Sequence, residues 1–433
     1  MNRPPGNPLF VALCLTLVRV YYPAVATSHR ERLPAYGPAI VVANHPNGLL
    51  DPLLLRAALG VPVRFLGKST FWDNPLGRFA MNAFGALPVY RAHEADTARN
   101  EETFARARAL LAAGGWMALF PEGKSHDEPS LQPLKSGAAR IALSAEAERA
   151  FTLGVRIVPV GLLYEDKAIF RSRVGVAVGA PILLSDHADA WAQDPRAAAE
   201  TLTERIADEL GTVVLQADGQ ALWRGIVAVA TWTAPDGGAD HAARDRRALA
   251  LAATARRLAA EDPDRLDAAV AATRHFQRVM AAVGIDDPLT VEDPQPARVL
   301  AGLPELVLLA PLAFVGAILA WLPYRLIRPL SHRLARGHVD VIGTIKLLLG
   351  MLVLPVTWLA WAAVAVAWVG LPGLALLVVG PLTGLAALRF DERLSLRRAA
   401  LRGWARASDP RVTQAIAERR RELCRMVEGV LGG

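Results

Sequence analysis

At 433 residues, 53% of them hydrophobic, and with a mean hydropathy of +0.26, the chain is long for one domain and too apolar for an ordinary soluble protein. Its net charge of +7 and pI near 9.8 suit an anionic lipid surface or a phosphorylated substrate; no nucleic-acid-binding motif accompanies the charge, so no nucleic-acid partner is expected. Cys14 and Cys424, at opposite ends, exclude a disulfide framework and a cysteine metal site.

Residues 1–25 read as an apolar helix from Leu9 whose Tyr21-Tyr22-Pro23 end suits a membrane interface. With Arg3 and Ala24-Val25-Ala26 the segment also imitates a signal peptide, a reading that Arg19 inside the apolar stretch opposes.

Between residues 26 and 188 apolar runs alternate with amphipathic ones, the pattern of an α/β domain. Strands are predicted to end at Ala43 and to run over Val63–Leu66, Ala86–Tyr90, Trp116–Phe120, Ile157–Leu163 and Val174–Val178, with Pro181-Ile182 closing the sheet. Helices are predicted over Asp51–Leu59, Asn74–Phe84, Thr97–Ala113 and Ser136–Glu148. The chemistry-bearing residues fall at strand ends, where ligands bind in open α/β sheets.

The first strand leads into Asn44-His45-Pro46-Asn47-Gly48-Leu49-Leu50-Asp51. A histidine on a turn with a carboxylate six residues on can have one ring nitrogen oriented while the other faces a substrate, the pairing of a general base with its orienter. Further along, Trp116–Phe120 delivers Pro121-Glu122-Gly123 to a loop. Of the five lysines, Lys68, Lys124 and Lys135 flank these segments.

Four ordered blocks carry a resemblance to the glycerolipid acyltransferases, the family of glycerol-3-phosphate and lysophosphatidate acyltransferases. They are His45 to Asp51, Phe84-Gly85-Ala86-Leu87-Pro88-Val89-Tyr90-Arg91, Phe120-Pro121-Glu122-Gly123 and Ile157-Val158-Pro159-Val160-Gly161, and the likeness covers roughly residues 10 to 215. Five residues separate His45 from Asp51, as in the branch that resembles fungal glycerol-3-phosphate acyltransferases and their bacterial relatives. The resemblance implies a mixed sheet flanked by helices, with His45 as general base and Asp51 as its partner. It implies acceptor binding by Glu122 and Gly123, with Glu122 bonding a glycerol hydroxyl, and a phosphate grip by Arg91 helped by Lys68 and Lys124. Lys124, Ser125 and His126 depart from the family's commoner pattern. Backbone donors for an oxyanion point to the Asn47-Gly48 turn, although sequence assigns no residue. The chemistry calls for no metal and no cofactor, since acyl-CoA or acyl carrier protein enters as a substrate; His45, His93 and His126 have no ligand spacing.

Residues 189–300 become rich in Ala, Arg and Asp, predicting an all-α insert with helices over Ala198–Leu210, Leu215–Thr231, Ala242–Ala260 and Asp264–Val283, broken at Pro235-Asp236-Gly237-Gly238 and Asp287-Pro288. Residues 301–390 form a membrane region with apolar segments at Leu303–Leu322, Ile345–Val369 and Leu371–Leu388, against a requirement of roughly 20 residues per crossing. Basic residues on both sides, Arg325, Arg328, Arg333 and Arg336 and then Arg393, Arg397, Arg398 and Arg402, both call for the cytoplasm. That predicts a first segment that dips and returns around Pro311, followed by a spanning hairpin and a basic helical tail over 391–433.

The expectation is a membrane-bound enzyme transferring a fatty acyl group to glycerol-3-phosphate or lysophosphatidate, its site facing the cytoplasm. Another lysolipid acceptor, or a non-catalytic membrane scaffold on the same fold, are the alternatives.

Overall fold

The computed structural model describes residues 6–90, 99–234, 240–285, 287–292, 300 and 302–431. The chain divides into two compact units, the first made of Met1–Val227, Asp240–Ala253 and His338–Gly343 and the second of Ala228–Ala239, Thr254–Gly337 and Thr344–Gly433.

The first unit opens with α1 (Pro8–Tyr21), whose start is fixed by Pro8 in the first turn and by Asn7 Oδ1, which accepts from the Leu9 and Phe10 amides at 3.0 and 3.2 Å. The sheet follows as β1 (Val25–Ser28), β2 (Ala39–Ala43), β3 (Val63–Lys68), β4 (Leu87–Val89), β5 (Trp116–Leu119), β6 (Arg156–Tyr164), β7 (Val174–Val178) and β8 (Ile182–Leu183). Its order is β1-β7-β6-β2-β5-β3-β4, with β8 pairing β6. The β6–β7 and β6–β8 pairs are antiparallel and the rest parallel, so the sheet is mixed, as expected.

Every residue of β2 is fully buried, because helices cover both faces of the sheet; this is why it reads as an unbroken apolar run and not an alternating one. Between the strands run α2 (Leu50–Leu59), α3 (Pro75–Phe84), α4 (Arg99–Ala112) and α5 (Gly137–Ala147), followed by α6 (Ala188–Gln193) and α7 (Pro195–Val213). Leu202 and Ile206 of α7 share a core with Ile40 and Val42 of β2 and Ile141 and Leu143 of α5. The unit therefore continues past residue 188, where the sequence suggested a change of domain. Arg173, just ahead of β7, donates to both carboxylate oxygens of buried Asp245 at 3.1 and 2.9 Å, which draws residues 240–253 into the same unit.

Two local expectations fail for tertiary reasons. Val25 and Ala26, read as a helix end or cleavage site, lie in β1 opposite Val174 and Gly175 of β7; a short edge strand paired with a distant partner leaves no local signal. The helix expected from Leu215 starts at Gln220, because Ala217 N–H donates to Pro129 O at 3.1 Å and Gln216 Oε1 accepts from the Leu131 amide at 3.2 Å, tying residues 214–219 to another loop. The Pro235 to Gly238 break lies outside the described residues.

Beyond α7 come α8 (Gln220–Trp232), α9 (His241–Glu261), α10 (Pro263–Val283) and α11 (Leu289–Glu292); in the second unit α12 (Leu303–Leu319) and α13 (Trp321–Ala335) meet at 58°. The bend falls at Ala320 and not at Pro311, which sits within α12. Pro323 explains it: a proline ring excludes the carbonyl four residues back, here Leu319, where α12 stops. That carbonyl accepts instead from Trp361 Nε1 at 3.2 Å. Beyond it run α14 (Val339–Val369) and α15 (Leu376–Ala407), joined through Gly370 and a 3-10 turn over Leu371–Ala375, then α16 (Pro410–Leu431). Val339–Val369 and Leu371–Ala407 are long and apolar enough to cross a membrane, and the bent pair would make a third span if counted as one. The first spanning helix starts six residues ahead of Ile345, because Asp340, Gly343 and Thr344 interrupt the apolar pattern there.

Candidate active site

The parallel strands β6, β2, β5, β3 and β4 end along one edge of the sheet, and the loops leaving that edge carry the candidate residues. Asn44 pins the end of β2 to β6, its side chain donating to Leu162 O at 3.1 Å and accepting from Leu162 N–H at 2.7 Å. The chain then turns through His45 to Leu49 into α2, whose first turn places Asp51 beneath the histidine. His45 Nδ1 and Asp51 Oδ2 are 2.8 Å apart, with the imidazole 18% exposed and the carboxylate fully buried. Asp51 also accepts from the Asn47 amide at 2.7 Å and the Tyr164 hydroxyl at 2.5 Å. Three donors thus converge on one carboxylate, which makes Nδ1 the protonated nitrogen and leaves the Nε2 lone pair available. Nε2 has no hydrogen-bond partner among the described residues. The ring stacks on Phe120 at 4.0 Å and 11°, which settles its second axis.

Glu122 has a different job from the one expected. Its side chain has no exposed surface. Oε1 accepts from the His45 backbone amide at 2.8 Å; Oε2 accepts from the Gln132 amide at 2.9 Å and pairs closely with His126 Nε2. His126 Nδ1 accepts from the Glu128 amide at 3.2 Å, so the proton sits on Nε2 and points at Glu122. The His126 amide completes the ring by donating to His45 O at 3.2 Å. The carboxylate is therefore engaged inside the chain, holding the histidine's backbone, and is not presented to an acceptor hydroxyl. Gly123 serves the same loop: its φ of +76° suits glycine, and a Cβ there would lie 2.7 Å from Lys135 Nζ.

Lys68 ends β3, two strand spacings from β2, or about 10 Å across the sheet edge, and is half-buried. Lys124 is exposed on the Glu122 loop. Arg91 and His93 lie outside the described residues; β4, which leads to Arg91, ends at Val89 beside Lys68. The Asn47 amide, considered for an oxyanion, is committed to Asp51.

Sequence reasoning missed several residues that the fold brings here. Lys167 braces the two loops, its Nζ reaching Pro46 O at 2.9 Å, His126 O at 3.2 Å and Asp127 Oδ1 at 2.6 Å. Asn47 Nδ2 donates to Tyr22 OH at 2.7 Å, and that hydroxyl donates to Lys167 O at 3.2 Å. Only the scarcity of lysine offered a hint at Lys167; Tyr22 and Tyr164 looked like ordinary apolar-run residues.

Burial, together with the charge of Asp51, pushes the Tyr164 phenol well above its usual value, and burial does the same to Tyr22. Above about pH 10 the unfolded chain releases protons that the folded chain still holds, so stability is complete below that pH and declines above it. Tyr164→Phe removes one of these contributions: its thermal midpoint should fall less steeply than wild type between about pH 10 and 11, and at neutral pH it should cost about 1–3 kcal/mol for the missing donor to Asp51. Parallel alkaline curves would count against a protonated phenol at this position.

A family model described as Acyltransferase matches residues 24–163, which takes in β1 to β6 and the whole His45, Asp51 and Glu122 arrangement. Over 115 residues the chain is 38% identical to glycerol-3-phosphate O-acyltransferase 2 of Saccharomyces cerevisiae, a stretch amounting to 26% of this chain and 15% of the yeast protein. Glycerol-3-phosphate O-acyltransferase 1 of the same yeast is 36% identical over 103 residues, 24% of this chain and 13% of its own. The match thus takes in only a small part of the yeast proteins. The crystal structure of the 1-acyl-sn-glycerophosphate (LPA) acyltransferase PlsC from Thermotoga maritima aligns with 46% of this chain and 79% of its own, at 18% identity and a TM-score of 0.32. Residues 24–163 therefore carry an acyltransferase domain, similar in sequence to part of the two yeast glycerol-3-phosphate O-acyltransferases.

Proposed function

We propose that the protein is a membrane-bound acyltransferase that moves a fatty acyl group from acyl-CoA or acyl carrier protein to a hydroxyl of glycerol-3-phosphate. One observation carries this reading: an imidazole whose Nδ1 is fixed on a buried carboxylate and whose Nε2 stands open at the carboxyl edge of the sheet. His45 Nε2 removes the acceptor's hydroxyl proton as that oxygen attacks the thioester carbonyl, and Asp51 stabilises the imidazolium that forms. The tetrahedral adduct then collapses, the C–S bond breaks, and the imidazolium returns its proton to the leaving thiolate. Atoms balance with no enzyme nucleophile, metal or cofactor in the step.

An anionic acceptor requires cations. Lys68 ends β3 and Lys124 follows β5, strands that end on the same edge as the β2 strand leading to His45; Arg91, two residues beyond β4 in the sequence, takes the bidentate grip on phosphate. The acceptor reading draws on the two yeast relatives, whose names specify glycerol-3-phosphate, and on the five-residue spacing between His45 and Asp51. A cytoplasmic side for the site is supported by the arginines of α13 and of the end of α15 under the positive-inside rule, and a membrane anchor by the apolar helices within 301–390.

The test is a panel of acceptors with radiolabelled acyl-CoA and purified protein in detergent. Turnover of glycerol-3-phosphate above that of lysophosphatidate supports the assignment; the reverse order would move the enzyme to the lysolipid step, and no turnover of any phosphoglycerol would remove the proposal. In the same assay Arg91→Ala should raise the KM for the phosphorylated acceptor by about tenfold or more while leaving the KM for acyl-CoA nearly unchanged. An equal effect on both would make Arg91 structural.

A further inference from the structure

The family match ends at residue 163, yet the unit that holds the active site includes His338–Gly343, the opening turn of α14. Two contacts seat that turn, one on each loop of the site. Ser125 Oγ donates to Asp340 Oδ2 at 2.6 Å across 215 residues of sequence, and Asp340 is buried. Ser125 lies between Gly123 and His126 on the loop whose Glu122 and His126 grip the backbone of His45. On the other side Gly343 packs against the His45 turn: a Cβ at this glycine would lie 2.6 Å from Leu50 Cδ1, 2.8 Å from Asn47 Oδ1 and 3.1 Å from Lys167 O. Asn47 Oδ1 is itself buried without a hydrogen-bond partner, so the helix backbone covers it at a distance no side chain would allow. Asn47 is also the residue whose amide holds Asp51.

We propose that the first turn of the spanning helix α14 is a structural part of the catalytic centre, in which Asp340 is a positioning residue for the Glu122 loop and Gly343 admits the helix against the Asn47 to Leu50 turn. The proposal rests on the reading of His45 as the base, and deepens it. Its physical content is that a helix built for the membrane supplies the third side of a soluble-looking site: the loop carrying Glu122 and the turn carrying His45 and Asp51 are each braced by the same turn of helix. A shift of that helix would act on the orientation of the dyad and not on substrate contacts, because neither Asp340 nor Gly343 is offered as touching substrate.

The experiment uses the full chain in detergent with two readouts, acyl transfer and hydrogen exchange of the backbone amides of Asn47 and Gln132. Asp340→Ala should lower kcat by about 10- to 100-fold, the scale of a misplaced catalytic group, leave both KM values within about twofold, and speed exchange at both amides. Asp340→Asn retains an acceptor for Ser125 and should recover most of the rate. Gly343→Ala should repeat the kcat loss, whereas Gly350→Ala, on the same helix with nothing within 4 Å of its added methyl, should behave as wild type. Loss from Gly350→Ala equal to that from Gly343→Ala would mean a general helix effect and would overturn the proposal. So would unchanged exchange in Asp340→Ala, or no recovery with Asp340→Asn. If wild type transfers no acyl group, the exchange arm still decides whether the turn braces the loops, and only the functional reading fails.

Discussion

Replacing His45 with alanine should reduce acyl transfer by about 10²- to 10⁴-fold, the contribution of a positioned general base, while the protein still folds. The stability cost should be small for a stated reason. The imidazole is 18% exposed, and its deletion leaves Asp51 with two of its three donors, the Asn47 amide and the Tyr164 hydroxyl. The lost stacking on Phe120 is worth about 1 kcal/mol. The check is single-turnover transfer from acyl-CoA to glycerol-3-phosphate with purified variant, beside its thermal midpoint. Rates within a few-fold of wild type would eliminate the base, and collapse of the midpoint would show that the residue is holding the turn together.

Asp51→Asn should be almost as damaging to the rate and more damaging to stability. The native carboxylate meets three donors and offers only acceptor oxygens. An asparagine has one oxygen and one amino group in the same place, so at least one N–H must face another donor. His45 Nδ1 and the Asn47 amide share Oδ2, so an amide oxygen turned to Tyr164 leaves the amino group opposite both; in that orientation it selects the imidazole tautomer protonated on Nε2 and removes the lone pair that takes the substrate proton. A buried Asp→Asn change beside a catalytic histidine costs about 10⁴ in kcat in serine proteases, and a loss of about 10³–10⁴ is expected here. An unsatisfied buried donor adds about 1–3 kcal/mol of destabilisation. The KM values should change little, because neither atom is a binding group. A variant with ordinary kcat and raised KM would reassign Asp51 to substrate binding.

The two changes separate orientation from proton transfer. On the proposed mechanism, alanine at 45 removes the base and leaves the support, whereas asparagine at 51 keeps the base and disturbs its tautomer. Neither outcome depends on which acceptor the enzyme prefers.

Much of this site was legible in one dimension because its parts are short-range. His45 and Asp51 lie on one turn entering one helix, so their spacing alone brings them together, and the strands that deliver them announce themselves as buried apolar runs. The role of Glu122 was not legible. Its position on a loop after β5 was, but whether its oxygens face solvent or the His45 amide depends on the β2–β5 pairing and on where Gln132 and His126 come to rest. Pairing between strands separated by 70 residues or more leaves no periodic trace.

What the sequence by itself determined was the class of fold, the dyad, the order of strands and helices over residues 39 to 183, and the apolar segments of the C-terminal region. Each of these rests on local pattern: apolar period, turn residues and charge along a few neighbouring positions. The tertiary structure alone decided that β1 closes the sheet beside β7, that the α12–α13 bend falls ahead of Pro323, and that Tyr22, Tyr164, Lys167 and Asp340 meet around Asn44 to Asp51. Those outcomes are settled by hydrogen bonds and packing between residues far apart in the chain, whose partners exist only once the sheet has assembled.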